Sequence, residues 1–256
     1  MTHPLEGRTA VVTGVSRRSG IGFATARQLS RAGAAVFVHS WVHDDEFSSS
    51  GELTAMLAEL GKGEARIEHV DADFAQPEQP ARVIGEACKA FGHVDILVVN
   101  HTRSVHVSLS ELTAAEIDAH LHVNVRASLL LVKEFADQHD GRVGGRVVLF
   151  TSGQHLAPMR SEVPYAVSKG AIHQATMTLS EELIDRGITV NTINPGPTDT
   201  GWAIKEVDPS PAMPLGRWGL PDDAARLVAW LCSDDASWIT GQVIDSEGGF
   251  RRWALR

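Results

Sequence analysis

The chain is poor in cysteine, in tyrosine and in clustered positive charge. Only Cys88 and Cys232 are present, too few for a disulfide framework and not at a zinc-binding spacing. A reducing, cytoplasmic setting is the expectation. The opening residues, Met1 to Gly7, lack the charged-then-apolar pattern of a secretion signal, and no apolar run approaches the ~20 residues of a membrane span. Twelve histidines are scattered without a His-Glu-x-x-His pattern or ligand spacing, so no catalytic metal is expected. Basic runs are absent and the formal net charge is −9. Phosphate backbones demand clustered Lys and Arg, which argues against a nucleic-acid partner. What is left is a chain of 256 residues, 43% hydrophobic, suited to a large core and small-molecule recognition.

Short apolar runs alternate with helical patterns. Strands are expected at Thr9–Thr13, Ala35–His39, Ala65–Val70, Ile96–Val99, Arg146–Thr151, Thr189–Ile193 and Val243–Asp245. Most are continuous apolar runs, the pattern of strands covered on both faces. Helices are expected over Ile21–Ala32, Pro77–Phe91, Glu111–Asp137, Tyr165–Asp185 and Asp222–Cys232, several of them stopped by glycine. The alternation predicts an α/β fold: a doubly wound parallel sheet of about seven strands with helices on both faces. No linker or repeat divides the chain, so one domain over 1–256 is expected. The Pro- and Gly-rich stretch 195–221 has no core pattern and is expected to be a substrate loop, where Trp202, Met213, Leu215 and Trp218 suggest an apolar lining.

After the first strand comes Thr13-Gly14-Val15-Ser16-Arg17-Arg18-Ser19-Gly20-Ile21-Gly22. Glycines at a strand-to-helix junction let the backbone approach a pyrophosphate seated on the helix N-terminus. An ordinary glycine-rich loop would show the same residues. Tyr165, the only tyrosine, precedes Lys169 by four residues within a helical segment, so the two share a face. A free phenol has a pKa of about 10, and a neighbouring ammonium is expected to lower it. Taken alone, a surface Tyr beside a Lys fits that spacing equally well.

In order and spacing these pieces resemble the short-chain dehydrogenase/reductase family, nearly end to end. The resemblance rests on Thr13-Gly14…Gly20-Ile21-Gly22, on Tyr165-Ala166-Val167-Ser168-Lys169, on Ser152 thirteen residues before Tyr165, and on Asn191-Thr192-Ile193-Asn194-Pro195-Gly196-Pro197-Thr198-Asp199-Thr200. It implies an NAD(P)(H)-dependent oxidoreductase that moves a hydride between the nicotinamide and a carbonyl or secondary alcohol. In that family Ser152 would bond the substrate oxygen, Tyr165 would be the acid/base and Lys169 would lower its pKa and hold the ribose. Asn124 would position a water in the proton relay. The cofactor would meet Gly14, Ser16, Arg17, Arg18, Gly20, Ile21, Gly22, Asn100, Tyr165, Lys169, Pro195, Gly196, Thr198 and Thr200. Asp73 and Phe74 fall where the family contacts the adenine. The resemblance also implies a homotetramer, or else a homodimer, built through the two long helices, which hold more apolar residues than one core stripe needs.

The chain departs from the family in three places. Five residues, not three, separate Gly14 from Gly20, and the addition brings Arg17 and Arg18 near the cofactor phosphates. The slot where NAD-preferring members keep an aspartate holds Ser40, followed by Trp41, with Asp44, Asp45 and Glu46 only later. NADP(H) is therefore expected over NAD(H). The family's Asn-Asn-Ala-Gly reads Val99-Asn100-His101-Thr102, so His101 is expected to narrow or polarise the pocket. His155, three residues past Ser152, is a candidate substrate contact. Two alternatives stay open: a 3-oxoacyl-carrier-protein reductase, which an acidic chain is ill suited to dock, and a non-catalytic NADP(H)-binding regulator.

Overall fold

A computed structural model of the protein describes residues 3–41, 50–62, 65–201, 208–209 and 211–255. Seven parallel strands form one sheet in the order β3-β2-β1-β4-β5-β6-β7. They are β1 Thr9–Val12, β2 Ala35–Ser40, β3 Ile67–Asp71, β4 Ile96–Val99, β5 Gly145–Phe150, β6 Ile188–Asn194 and β7 Val243–Asp245. Every strand of the sequence reading is present, with ends moved by a residue or two. The inner strands β1, β4, β5 and β6 are buried along their whole length. Alternate residues point to opposite faces, so each run feeds two cores. Val12, Val38, Ile96, Val98 and Val148 pack with Phe23, Leu29, Met56 and Leu231 on one side. Val11, Leu97, Val99, Val147 and Val190 pack with Leu131, Phe135, Ile172 and Leu183 on the other.

The helices of the first layer are α1 Ile21–Arg31, α2 Ser50–Leu60 and α7 Pro221–Cys232; those of the second are α3 Gln79–Phe91, α5 Ala127–Gln138 and α6 Val163–Ile184. The expected helix from Pro77 begins later, because Asp73 and Gln76 first close a turn, and its first-turn proline is Pro80. The expected single helix from Glu111 is three pieces: α4 Ala114–His120, a π-turn Leu121–Arg126, and α5. Thr113 caps α4 by accepting the Glu116 N–H. Helix α2 was not expected, although Leu53, Met56, Leu57 and Leu60 have the i, i+3, i+4, i+7 spacing of a helix face.

Strand order reverses between β1 and β4. The crossovers leave that seam in opposite directions, which opens a crevice at the C-terminal ends of the strands.

Candidate active site

The glycine turn lies on this crevice. Gly14 has a φ of +73°, and a Cβ there would sit 2.7 Å from the His101 Cα. A Cβ on Gly22 would come within 2.7 Å of Asn100 Nδ2 and strike the Gly14 carbonyl. Only glycine fits either position, and the missing side chains leave a cradle. Helix α1 opens at Gly20 with no side-chain cap, so its first N–H groups remain for an anion. These features fit a dinucleotide pyrophosphate.

The turn is braced from below. Asn100 Nδ2 donates to the carbonyls of Thr13 and Gly14, each at 3.1 Å. His39 Nδ1 accepts the Gly14 N–H at 3.2 Å while its Nε2 donates to the Ala72 carbonyl at 2.9 Å. Burial brings His39 down to about 4, so the ring stays neutral and keeps its acceptor. Phe74 stacks on His39, at 4.1 Å, and meets His101 at a tilt, at 4.4 Å. The enlarged part of the turn is held at its edges. Ser16 Oγ donates to the Trp41 carbonyl at 3.1 Å, and Ser19 Oγ donates to the Thr200 carbonyl at 2.7 Å.

Ser152 follows β5, and Tyr165 and Lys169 lie on the first turns of α6. Thr151 Oγ1 donates to the Lys169 carbonyl at 2.9 Å, and Lys169 Nζ donates to the Phe150 carbonyl at 3.1 Å, pinning helix to strand end. Ser152 hydrogen-bonds the phenol of half-buried Tyr165. Burial pushes the Tyr165 hydroxyl up to about 12; the Ser152 bond pulls it down in part and the Glu162 charge adds to the rise. Burial lowers Lys169 to about 8. Its Nζ lies 5.7 Å from the tyrosine ring centre. The expected depression of the phenol by the lysine is therefore not what the protein alone shows: loss of water around the phenol dominates.

Asn124 is buried in the π-turn. Its Nδ2 donates to Arg103 O and Ser168 Oγ, each at 2.9 Å, and Ser168 Oγ in turn donates to the Tyr165 carbonyl at 2.8 Å. The asparagine is thus one residue removed from the helix turn that holds Tyr165. On the far side, Asn194 Nδ2 donates to Asp245 at 2.8 Å and to Glu247 at 2.7 Å, and its Oδ1 accepts the Gly196 N–H at 3.1 Å. Glu247 pairs with Arg252, whose Nη1 lies 2.7 Å away. The Arg252 guanidinium covers Gly153, the residue after Ser152.

A family sequence model described as Enoyl-(Acyl carrier protein) reductase matches residues 14–251. The chain is 39% identical over 256 residues to the uncharacterized oxidoreductase YjdA of Bacillus subtilis, covering 98% of this chain and 100% of the relative. It is 34% identical to human dehydrogenase/reductase SDR family member 4 over 261 residues, covering 96% and 88%. A short-chain dehydrogenase of Burkholderia cenocepacia solved in complex with NADP superposes with a TM-score of 0.87 at 33% identity, covering 99% of this chain and all of that one. The chain belongs to the short-chain dehydrogenase/reductase family.

Within this family member the structure gathers Ser152, Tyr165, Lys169 and Asn124 at one end of the crevice and Gly14, Gly20, Ile21, Gly22 and Asn100 at the other. Pro195, Gly196, Thr198 and Thr200 form the loop between, with Thr198 Oγ1 bonded to the Pro195 carbonyl at 3.3 Å. Other expected cofactor contacts are engaged differently. Ser40 is fully buried and bonded to His69 at 2.8 Å. Asp73 accepts the Ala75 N–H at 2.8 Å, the geometry of an ordinary turn aspartate, and Phe74 is core. Arg18 turns outward to pair with Glu59, while Arg17 stays half-buried in the turn. His155 lies 3.2 Å from Asp245 and stacks on His173 at 4.6 Å. His101 is buried, with one ring nitrogen bonded to Thr13 Oγ1 and the other to the Val123 carbonyl. Asp44, Asp45, Glu46 and Trp202 fall outside the described residues. Sequence reasoning missed His39, Arg103 and Arg252; a histidine at a strand end and an arginine near a terminus give no local signal of these contacts.

Proposed function

We propose that the protein is an NADP(H)-preferring oxidoreductase that interconverts a carbonyl and a secondary alcohol, with Tyr165 as acid/base. The observation behind this reading is the convergence of the Ser152 and Tyr165 hydroxyls beside a buried lysine, at the mouth of a glycine-lined anion cradle. The bound nicotinamide supplies or takes the hydride. Ser152 holds the substrate oxygen, and Tyr165, fully protonated near neutral pH, donates to that oxygen as charge builds on it. Lys169, with a water positioned at the Asn124 turn, would restore the proton. Two hydroxyls that meet at one point suit a polar oxygen, which favours a carbonyl substrate.

Gly14, Gly20, Ile21 and Gly22 would hold the pyrophosphate, Arg17 the 2′-phosphate, and Lys169, Gly196 and Thr198 the nicotinamide half. The Burkholderia relative solved with NADP supports the choice of cofactor, as does the lack of a carboxylate on Ser40. The whole chain acts as one catalytic unit, with 195–221 as the substrate loop and His155 at its edge. A cytoplasmic homotetramer or homodimer would cover the exposed Leu129, Val167 and Met177 on α5 and α6.

The test is NADPH and NADH oxidation followed spectrophotometrically against ketones, 3-oxoesters, quinones and sugars. Expected are turnover with at least one class, a kcat/KM at least about tenfold higher with NADPH, and loss of turnover in Tyr165→Phe with NADPH affinity unchanged. Tight NADPH binding with no turnover on any carbonyl would favour the non-catalytic regulator instead.

A further inference from the structure

His101 stands where the family has a small residue, and its ring sits between two working parts of the site. Nε2 lies 3.0 Å from the Val123 carbonyl oxygen, which can only accept, so this nitrogen holds the proton. Nδ1, 2.9 Å from Thr13 Oγ1, is then the acceptor of the threonine hydroxyl. The same hydroxyl oxygen accepts the backbone N–H groups of Asn100 and His101 at 3.0 and 3.2 Å. One neutral imidazole therefore runs from the last residue before the glycine turn to the residue before Asn124. Phe74 packs 4.4 Å from the ring and keeps it there.

The next two residues continue the attachment. Thr102 Oγ1 donates to Asn124 Oδ1 at 3.3 Å, and the Arg103 N–H donates to the same oxygen at 2.6 Å. The Arg103 guanidinium holds Glu116 on α4 at 3.0 and 3.1 Å. These ties meet the chain where the helix departs from regular winding. In the π-turn the Ala127 N–H reaches back five residues to His122 O, a wider turn of the kind often found at functional sites.

We infer that His101 is a positioning residue that locks the Asn124 turn in register with the nucleotide turn, so that one imidazole sets both cofactor seating and the proton relay. The inference rests on the function proposed above. His101→Leu keeps the bulk and removes both polar contacts; His101→Gln puts back an N–H donor at the reach of Nε2, while its one acceptor oxygen sits on the same terminal carbon and not at the Nδ1 position that faces Thr13. Binding of NADPH to the full-length protein is followed by nicotinamide fluorescence, and kcat is measured at saturating NADPH. His101→Leu is expected to raise the NADPH Kd about tenfold and to lower kcat by a similar factor. His101→Gln is expected to recover kcat to within about threefold while its Kd stays raised. General loosening of the fold would not separate the two quantities in this way. Should His101→Leu fail to fold, Thr13→Val removes the other end of the bridge and is expected to raise the Kd alike. Wild-type Kd and kcat in His101→Leu, or a His101→Gln as impaired in kcat as the leucine variant, would overturn the inference. If the wild type binds NADPH but reduces nothing, the enzymatic reading fails, and the Kd of His101→Leu still decides the bridge.

Discussion

Because Tyr165 is the only tyrosine, near-ultraviolet tyrosinate absorbance reports this one group. In the free protein burial places its hydroxyl at about 12 and Lys169 at about 8. The lysine therefore gives up its proton first, and no ammonium is left beside the phenol when it titrates. Lys169→Met should leave the free-protein titration within about half a unit of wild type. A positively charged oxidised nicotinamide is expected to draw the phenol down toward the range in which Lys169 keeps its proton. An ammonium 5.7 Å from the ring centre, at an effective dielectric constant of about 20, favours the phenolate by about 3 kcal/mol, roughly two pKa units. With saturating NADP+, Lys169→Met should then titrate roughly two units above wild type. The free-protein value also has a stability consequence. It lies above the unfolded value of about 10, so the stability conferred by the protonated phenol is complete below that pH and is lost as pH rises from about 10 to about 12. Coincident curves for the two proteins with NADP+ bound would refute the electrostatic role given to Lys169. So would a two-unit shift in the free form.

Two further outcomes are expected. Gly22→Ala drives a Cβ against the Gly14 carbonyl and Asn100, backbone and brace that cannot yield. A loss of about 1–3 kcal/mol should appear as a Tm lowered by roughly 5 °C in a thermal melt, and an unchanged Tm would show that the turn can spread. Met177 is 68% exposed on α6; Met177→Asp should reduce the molar mass seen by light scattering at micromolar concentration, and an unaltered assembly would rule out that face as an interface.

How much of this could be read from the chain follows from what each feature depends on. The strands stood out because residues such as Val98 and Val148 are buried on both sides and leave unbroken apolar runs. Ser152, Tyr165 and Lys169 were legible because spacing along a strand end and one helix face is a local property. The π-turn was not, since nothing in Leu121 to Arg126 separates a wide turn from an ordinary one; it is bonded to Arg103 and His101, which reach it from the segment after β4. The phenol's high pKa was hidden for a related reason, because burial is set by the whole fold and the Tyr-Lys spacing says nothing of it. Ser40 shows the converse, a residue placed at the right strand end whose hydroxyl is spent on His69. The apolar spacing of helix α2 is present in the sequence at Leu53, Met56, Leu57 and Leu60.

The latch of Glu247 and Arg252 onto Asn194 and Gly153 has a consequence for how the molecule is assembled. During synthesis β1 to β6 and the glycine turn emerge before these residues, so the half that grips the nucleotide can form early. The mouth beside Ser152 stays without its lateral support until Glu247 and Arg252 follow. A chain shortened after Asp245 keeps all seven strands yet lacks the guanidinium that covers Gly153 and one of the two carboxylates that orient Asn194.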